Sequence, residues 1–331
     1  MVKIKVFGIR DEERPIAEAW AKENNVTIDL TSDIIRTETI DSIKGFDGVT
    51  TTQTATIPTE AYRQLKEMGI KQIAQRSAGF DMYDLEEASK NDIIISNVPS
   101  YSPESIAEFA VTLALQLIRK TEEIQRNTQA HDFRWQPSIR ARVLGEMTVA
   151  VIGTGRIGQM AAKMFKGFGA NVIGYDLYPN EFAKEHLSYV DSIEEAIQQA
   201  DIISLHMPAT KDTHHLFNLD LFKQMKSDAY LVNTARGTIV KTEDLITALD
   251  EGLIAGAGLD TYEFESTYVP KDCRDQVIED EQLKQLLAHP QIIFTPHIAF
   301  YTDTAVKNLV EGGLNAALEV INTGTTATRV N

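Results

Sequence analysis

The sequence predicts an α/β fold with two domains, each a parallel sheet covered on both faces by helices. Three observations carry that prediction. Short apolar runs alternate with amphipathic stretches along nearly the whole chain, the rhythm of strand–helix–strand units. The rhythm restarts once, after the proline-marked segment Asn97-Val98-Pro99-Ser100-Tyr101-Ser102-Pro103. The second series then opens on Val149-Ala150-Val151-Ile152-Gly153-Thr154-Gly155-Arg156-Ile157-Gly158, a G-x-G-x-x-G turn between an apolar strand and a helix.

In the first series, strands are expected at residues 4–9, 26–30, 48–53, 73–76 and 93–98, and helices at 12–23, 59–68 and 85–90. Pro99 and Pro103 stop the last strand and open a turn. Ser102 suits an N-cap and Pro103 a first helical turn, so one long helix is expected over 103–125. Ile106, Phe109, Ala110, Leu113, Ala114, Leu117 and Ile118 recur along it at helical spacing. The polar stretch 127–142 then leads to a new strand, and the region opened by the 97–103 segment is the expected domain junction. In the second series, strands are expected at 148–152, 172–175, 202–206, 230–233, 255–259 and 292–295. Helices are expected at 181–187, 193–200, 219–225 and 243–251, with a closing helix over 302–323 that returns to the first domain. No short-period repeat or low-complexity segment is present.

Composition narrows the function classes. The 331 residues carry 32 Lys and Arg against 48 Asp and Glu, a net charge of −16, which disfavours a nucleic-acid partner. A hydrophobic share of 43% and a charged share of 24% suit globular domains and argue against disorder. The single cysteine, Cys273, can form no internal disulfide and reads as an incidental surface thiol within Lys271-Asp272-Cys273-Arg274. The first ten residues lack the apolar core of a signal peptide, and no apolar run reaches the about 18 residues of a membrane span. A cytoplasmic protein without a membrane partner is expected.

Each part of the glycine motif has a physical role. Gly153 permits a tight turn, Gly155 clears space for a pyrophosphate, and Gly158 lets helix and strand pack closely. The helix that starts at Arg156 and Ile157 offers free N–H groups to negative charge. Asp176, 18 residues after Gly158, stands where a carboxylate accepts from the ribose hydroxyls of a dinucleotide. It would repel the extra phosphate of NADP, and Leu177 beside it supplies no cation, so NAD is the expected cofactor. Capping of a turn is the competing reading of Asp176. Three later strand ends carry titratable groups: Arg236 in Asn233-Thr234-Ala235-Arg236-Gly237, Asp260, Glu263 and Glu265 in Asp260-Thr261-Tyr262-Glu263-Phe264-Glu265, and His297 in Thr295-Pro296-His297. Ligands of open α/β sheets bind beyond the carboxyl ends of strands, so these groups can converge.

Taken together, the glycine turn, these three motifs, the 97–103 segment, Ile106-Ala107-Glu108 and Ala299-Phe300-Tyr301 resemble the D-isomer-specific 2-hydroxyacid dehydrogenases over nearly the whole chain. Within the family the similarity is greatest to the lactate-forming branch of Gram-positive, lactic-type bacteria. The resemblance implies a flavodoxin-like substrate domain, 1–101 with 299–331, and an inserted Rossmann NAD-binding domain, 102–298. It implies a small 2-keto acid, such as pyruvate, as substrate. It implies Arg236, Glu265 and His297 as the catalytic residues, with Glu265 preferred over Glu263 as the partner of His297. The chemistry agrees: an Arg fork pairs with a carboxylate, a His near neutrality is a general acid, and a Glu beside it orients it. Met207, Pro208, Thr234, Ala235 and Asp260 are implied on the cofactor, Asp260 at the nicotinamide amide. Ala78, Gly79, Tyr101 and Phe300 are implied on the substrate, with Arg236 and His297. A homodimer involving the helix from Pro103 is implied as well. His206, His214 and His215 read as structural or exposed, and no metal-ligand spacing is present. Thr52 departs from a Tyr often found there in the closest branch, which points to a larger pocket and bulkier keto acids, as in hydroxyisocaproate or phenyllactate enzymes. An NAD-sensing corepressor is the non-enzymatic alternative, and the intact Arg236, Glu265 and His297 stand against it.

Overall fold

Lys3–Phe7 (β1) buries Ile4, Val6 and Phe7 completely, and it organises the first of two units into which the chain divides. The computed structural model describes all 331 residues. One unit is Met1–Ser102 with Tyr301–Asn331, and the other is Pro103–Phe300. These boundaries lie one and two residues beyond the expected ones.

In the first unit β1 is followed by Arg14–Glu23 (α1), Thr27–Leu30 (β2), Gly48–Thr51 (β3), Thr59–Glu67 (α2), Gln72–Gln75 (β4), Leu85–Lys90 (α3) and Ile94–Ser96 (β5). The strands form a parallel sheet of order β2-β1-β3-β4-β5, the flavodoxin-like order. β3, β4 and β5 are buried throughout, as expected of parallel strands covered on both faces. One face packs Val49, Tyr62, Leu65 and Ile73 together, and the other packs Val6, Trp20 and Ala74 against Val310, Leu314 and Ala317 of the closing helix. That helix, Asp303–Thr323, starts at Thr302, whose hydroxyl accepts from Ala305 N, and stops at Gly324 in the left-handed region.

The second unit contains Pro103–Arg119 (α4), Thr121–Gln129 (α5), Thr148–Ile152 (β6), Arg156–Gly167 (α6), Asn171–Tyr175 (β7), Ser188–Tyr189 (β8) and Ile193–Gln199 (α7). Ile202–Leu205 (β9), Leu219–Phe222 (α8), Tyr230–Asn233 (β10), Thr242–Asp250 (α9), Gly256–Leu259 (β11), Glu281–Ala288 (α10) and Ile292–Phe294 (β12) follow. All seven strands are parallel, in the order β12-β11-β10-β9-β6-β7-β8. Strand order reverses at β6, the switch point of a Rossmann sheet, where a dinucleotide binds. No helix is long and apolar enough to cross a membrane.

Two expectations need correction. The long helix over 103–125 is two helices, broken at Lys120, whose φ is +54°. Lys120 Nζ donates to Tyr230 Oη at 3.0 Å, which holds the break, and α5 has no buried residue to keep it in line with α4. The helix expected at 181–187 is only the short turn Ala183–Glu185. It leads into β8, which pairs Ser188 with Ile173 and Tyr189 with Gly174.

Candidate active site

The turn between β6 and α6 is built around close backbone approach. Gly153 has φ +93°, and a Cβ there would lie 2.7 Å from Met207 N. A Cβ at Gly158 would collide with Gly153 O, so strand and helix can touch only without it. At Gly155 the Cβ direction is open, with no atom within 4 Å. Gly155 is also the N-cap of α6 and offers no side-chain cap, which leaves the first N–H groups of Arg156 and Ile157 to a ligand. Asp176, one residue past β7, accepts from Thr154 N at 2.6 Å and from Tyr178 N at 2.9 Å. It therefore caps the turn, and its half-buried carboxylate marks the rim of the same cleft. Buried Met207 and exposed Pro208 follow β9 beside Gly153. An open glycine, an uncapped helix and a carboxylate at the next strand end fit a dinucleotide.

Beyond β10, Asn233 is fully buried and locks the next turn: its Oδ1 accepts from Ala235 N at 3.0 Å and its Nδ2 donates to Arg236 O at 2.9 Å. Thr234 is buried in that turn, and Arg236, half-exposed, donates from Nη1 to Ala235 O at 2.8 Å. Gly237 is obligatory, because a Cβ would run into the backbone of Tyr262 and Glu263. That contact seats the Arg236 turn on the segment after β11. There Tyr262 N donates to Glu265 Oε2 at 3.0 Å, and Glu265 Oε1 meets His297 Nδ1 at 2.7 Å. With Nδ1 turned to a carboxylate, Nε2 is the ring atom left for a reacting group. His297 itself has φ +55°, held there by its N–H donating to Asp260 O at 2.7 Å.

Asp260 secures this segment. It is fully buried and accepts from Thr295 Oγ1 at 2.6 Å, Ile298 N at 2.9 Å and Ala299 N at 2.8 Å. Burial pushes its carboxyl above the usual carboxylate range, although those bonds and His297 pull the other way. Glu263 is engaged elsewhere, with His215 Nε2 at 2.7 Å and Thr242 N at 3.0 Å, so Glu265 alone meets His297. His206 bonds Ser204 Oγ at 2.9 Å, and burial lowers its pKa to about 4, which keeps it neutral. His214 and His215 lie ring to ring at 3.9 Å.

In the first unit, the turn after β4 is held by its carbonyls. Asn97 Nδ2 donates to Ala78 O at 2.8 Å, Ser77 Oγ to Gly79 O at 2.7 Å, and Val98 N to Ser77 O at 2.9 Å. Ala78 N and Gly79 N donate to no acceptor in the chain, so two amide dipoles stay available. Tyr101 O accepts from Asn308 Nδ2 at 2.5 Å, and Phe300 is half-buried at the end of the second unit. Sequence reasoning missed Thr295 and the locking role of Asn233. Both sit within motifs already singled out, one before Pro296 and one at a strand end, where an Asn or Thr side chain commonly closes a turn.

Residues 111–299 match the NAD binding domain of the D-isomer specific 2-hydroxyacid dehydrogenases. The chain belongs to this family. It is 58% identical over 330 residues to a D-lactate dehydrogenase of Streptococcus agalactiae, covering 100% of both chains. Its fold is similar to a D-lactate dehydrogenase of Treponema pallidum, with a TM-score of 0.93, 44% identity and full coverage of both. It is similar also to a D-2-hydroxyisocaproate dehydrogenase, with a TM-score of 0.93, 37% identity and 99% coverage of each. The protein is an NAD-dependent oxidoreductase of the 2-hydroxyacid class. For such a dehydrogenase, the second unit places the dinucleotide turn and the His297–Glu265 pair at the carboxyl ends of one sheet.

Proposed function

We propose that the enzyme reduces pyruvate to D-lactate with NADH, reversibly, and that Arg236, Glu265 and His297 carry the reaction. The observation that supports it most is the His297 Nδ1 to Glu265 Oε1 contact of 2.7 Å, one turn away from the seated Arg236. The cofactor, when bound, supplies the hydride to the keto carbon. Gly153, Gly155, Arg156, Ile157, Gly158, Asp176, Met207, Pro208, Thr234 and Ala235 would hold it, whereas Asp260, fully buried and bonded to Thr295, Ile298 N and Ala299 N, would act through the segment that carries His297. The Arg236 fork pairs with the substrate carboxylate, aided by the N–H groups of Ala78 and Gly79. Tyr101 and Phe300 pack on the substrate side chain. Protonated His297 gives its Nε2 proton to the keto oxygen, while the Glu265 carboxylate steadies the imidazolium until that proton leaves. In lactate oxidation the same Nε2 takes the proton back. A His297→Ala variant should lose turnover by about 1,000-fold or more while NADH affinity stays within about threefold. Unchanged turnover would remove His297 from the mechanism.

NADH is preferred over NADPH in this reading, because Asp176 and Leu177 offer no partner to a phosphate. The enzyme works as a homodimer in the cytoplasm. Phe133, Trp135 and Val143 are 72%, 99% and 63% exposed in the segment after α5, and such apolar side chains call for a covering partner. A second reading, a broader 2-keto acid range, is favoured by Thr52, a small side chain whose buried Oγ1 has no partner. Comparing phenylpyruvate with pyruvate tests it. Rejection of the larger acid by more than about 1,000-fold, or about 4 kcal/mol, ends that reading.

A further inference from the structure

Strand β4 is followed at once by Arg76, the largest fully buried side chain of the protein. Its Nη2 donates to Phe7 O and Gly8 O, both at 3.0 Å, at the end of β1. It also lies 3.6 Å from the Glu13 carboxylate, which is buried too and pairs with Arg10 at 2.7 Å. Nε and Nη1 have no partner. A guanidinium with five donors is expensive to bury when some go unused. Burial lowers its pKa to about 10, with Glu13 pulling the other way. A second local cost serves the same side chain. Gly313 lies inside the closing helix, where glycine is less favourable than alanine. A Cβ there would come within 2.5 Å of Arg76 Cγ, so the glycine is what lets the arginine lie under the helix.

These costs converge one residue before Ser77-Ala78-Gly79. With no exposed side-chain surface, Arg76 is unreachable for an anion and cannot bind substrate itself. What it can do is fix direction. Its fork joins the end of β4 to the end of β1, the two neighbours of β3, so the turn leaving β4 has a defined origin. We propose that Arg76, with Glu13 behind it, is a positioning residue for the substrate carboxylate: it aims the free N–H groups of Ala78 and Gly79. The inference rests on the proposed 2-keto acid reaction and adds the residue that orients one part of its binding site.

The test uses the full-length enzyme and three variants, Arg76→Lys, Glu13→Gln and Gly313→Ala, each checked for folding by circular dichroism and thermal melting. Affinity for oxamate, an unreactive pyruvate mimic, is titrated on the NADH-loaded enzyme. NADH affinity and pyruvate kinetics are measured alongside. The expected result is a Kd for oxamate and a KM for pyruvate raised about tenfold in Arg76→Lys and less in the other two, with kcat and NADH affinity within about twofold. Variants that melt earlier but keep oxamate affinity show a merely structural ion pair and overturn the proposal. So does parallel loss of NADH affinity, which marks general damage. The reading it rests on fails separately: wild-type enzyme that turns over no pyruvate refutes that, whereas oxamate affinity still reports on Arg76.

Discussion

At the scale of the residue, the proposed chemistry turns on which carboxylate faces His297. Glu263 and Glu265 are two positions apart, and spacing alone does not choose between them. The structure does, because His215 and Thr242 N occupy Glu263 while Tyr262 N turns Glu265 toward the imidazole. A Glu265→Gln variant keeps the size and can still accept from Tyr262 N, but loses the charge that stabilises a protonated ring. Its kcat should fall about 100-fold at neutral pH with NADH affinity unchanged, as steady-state rates and a fluorescence titration would show. A kcat within threefold of wild type would mean that orientation alone is enough. Gly237→Ala should act through the backbone: its Cβ meets Tyr262 and Glu263, whose backbone cannot give way cheaply. A loss of about 3 kcal/mol or more, or failure to accumulate soluble protein, is expected in a denaturant titration. The residue types proposed for the site were suggested by the family resemblance and agree with what reduction of a keto acid demands, a cation, a proton donor and an anion to hold it; the pairing of Glu265 with His297 is what the structure adds. The left-handed backbone of His297 and the buried Asn233 and Asp260 that support the turns were not legible, since those roles exist only after distant strand ends meet.

At the scale of the element, the expected strands fall within two residues of the observed ends, closest where buried parallel strands are uninterrupted apolar runs, as in Thr148–Ile152 and Tyr230–Asn233. The failures share a cause. α5 is amphipathic in pattern but buries nothing, so its periodicity continued that of α4 while its axis was free to turn at Lys120. β8 has two residues, too few for any period to show, and pairing with β7 defines it. Asp201, just before β9, illustrates how such elements are fastened. Its buried carboxylate accepts from Thr148 N at 2.7 Å and from Arg142 and Lys226, each at 3.1 Å. Burial alone would raise its pKa, but Thr148 N–H, Lys226 and Arg142 outweigh that and hold it below the usual range. A carboxylate with a depressed folded pKa contributes stability above its unfolded value, near about 4, and loses it as the pH falls through the folded pKa. Asp201→Asn should therefore cost about 2–3 kcal/mol at pH 7, and the cost should shrink below about pH 4 in urea titrations. An equal cost at both pH values would show that the charge is irrelevant.

At the scale of the whole molecule, a chain of net charge −16 is proposed to bind an anion. Arg236 and a few amide N–H groups act at contact distance, whereas the acidic surface acts from afar and is the part that salt screens. Raising the ionic strength from about 10 to 100 mM, across which the Debye length falls from about 30 to 10 Å, should lower the KM for pyruvate. A rise would show that the local positive site dominates the long-range field. Sedimentation should give twice the 36.9 kDa chain mass, and Trp135→Asp should shift it toward the monomer. The two parallel sheets and the return of the closing helix agree with the alternating pattern and its single interruption, whereas the strand orders agree with the flavodoxin-like and Rossmann domains that the family resemblance implied. The preferred keto acid does not, because pocket size depends on how side chains such as Thr52 pack. The central claim is tested most directly by chiral analysis of the product formed from pyruvate and NADH. D-lactate alone, formed in step with NADH oxidation, is the predicted result. L-lactate, a racemate, or no lactate at all would contradict the account.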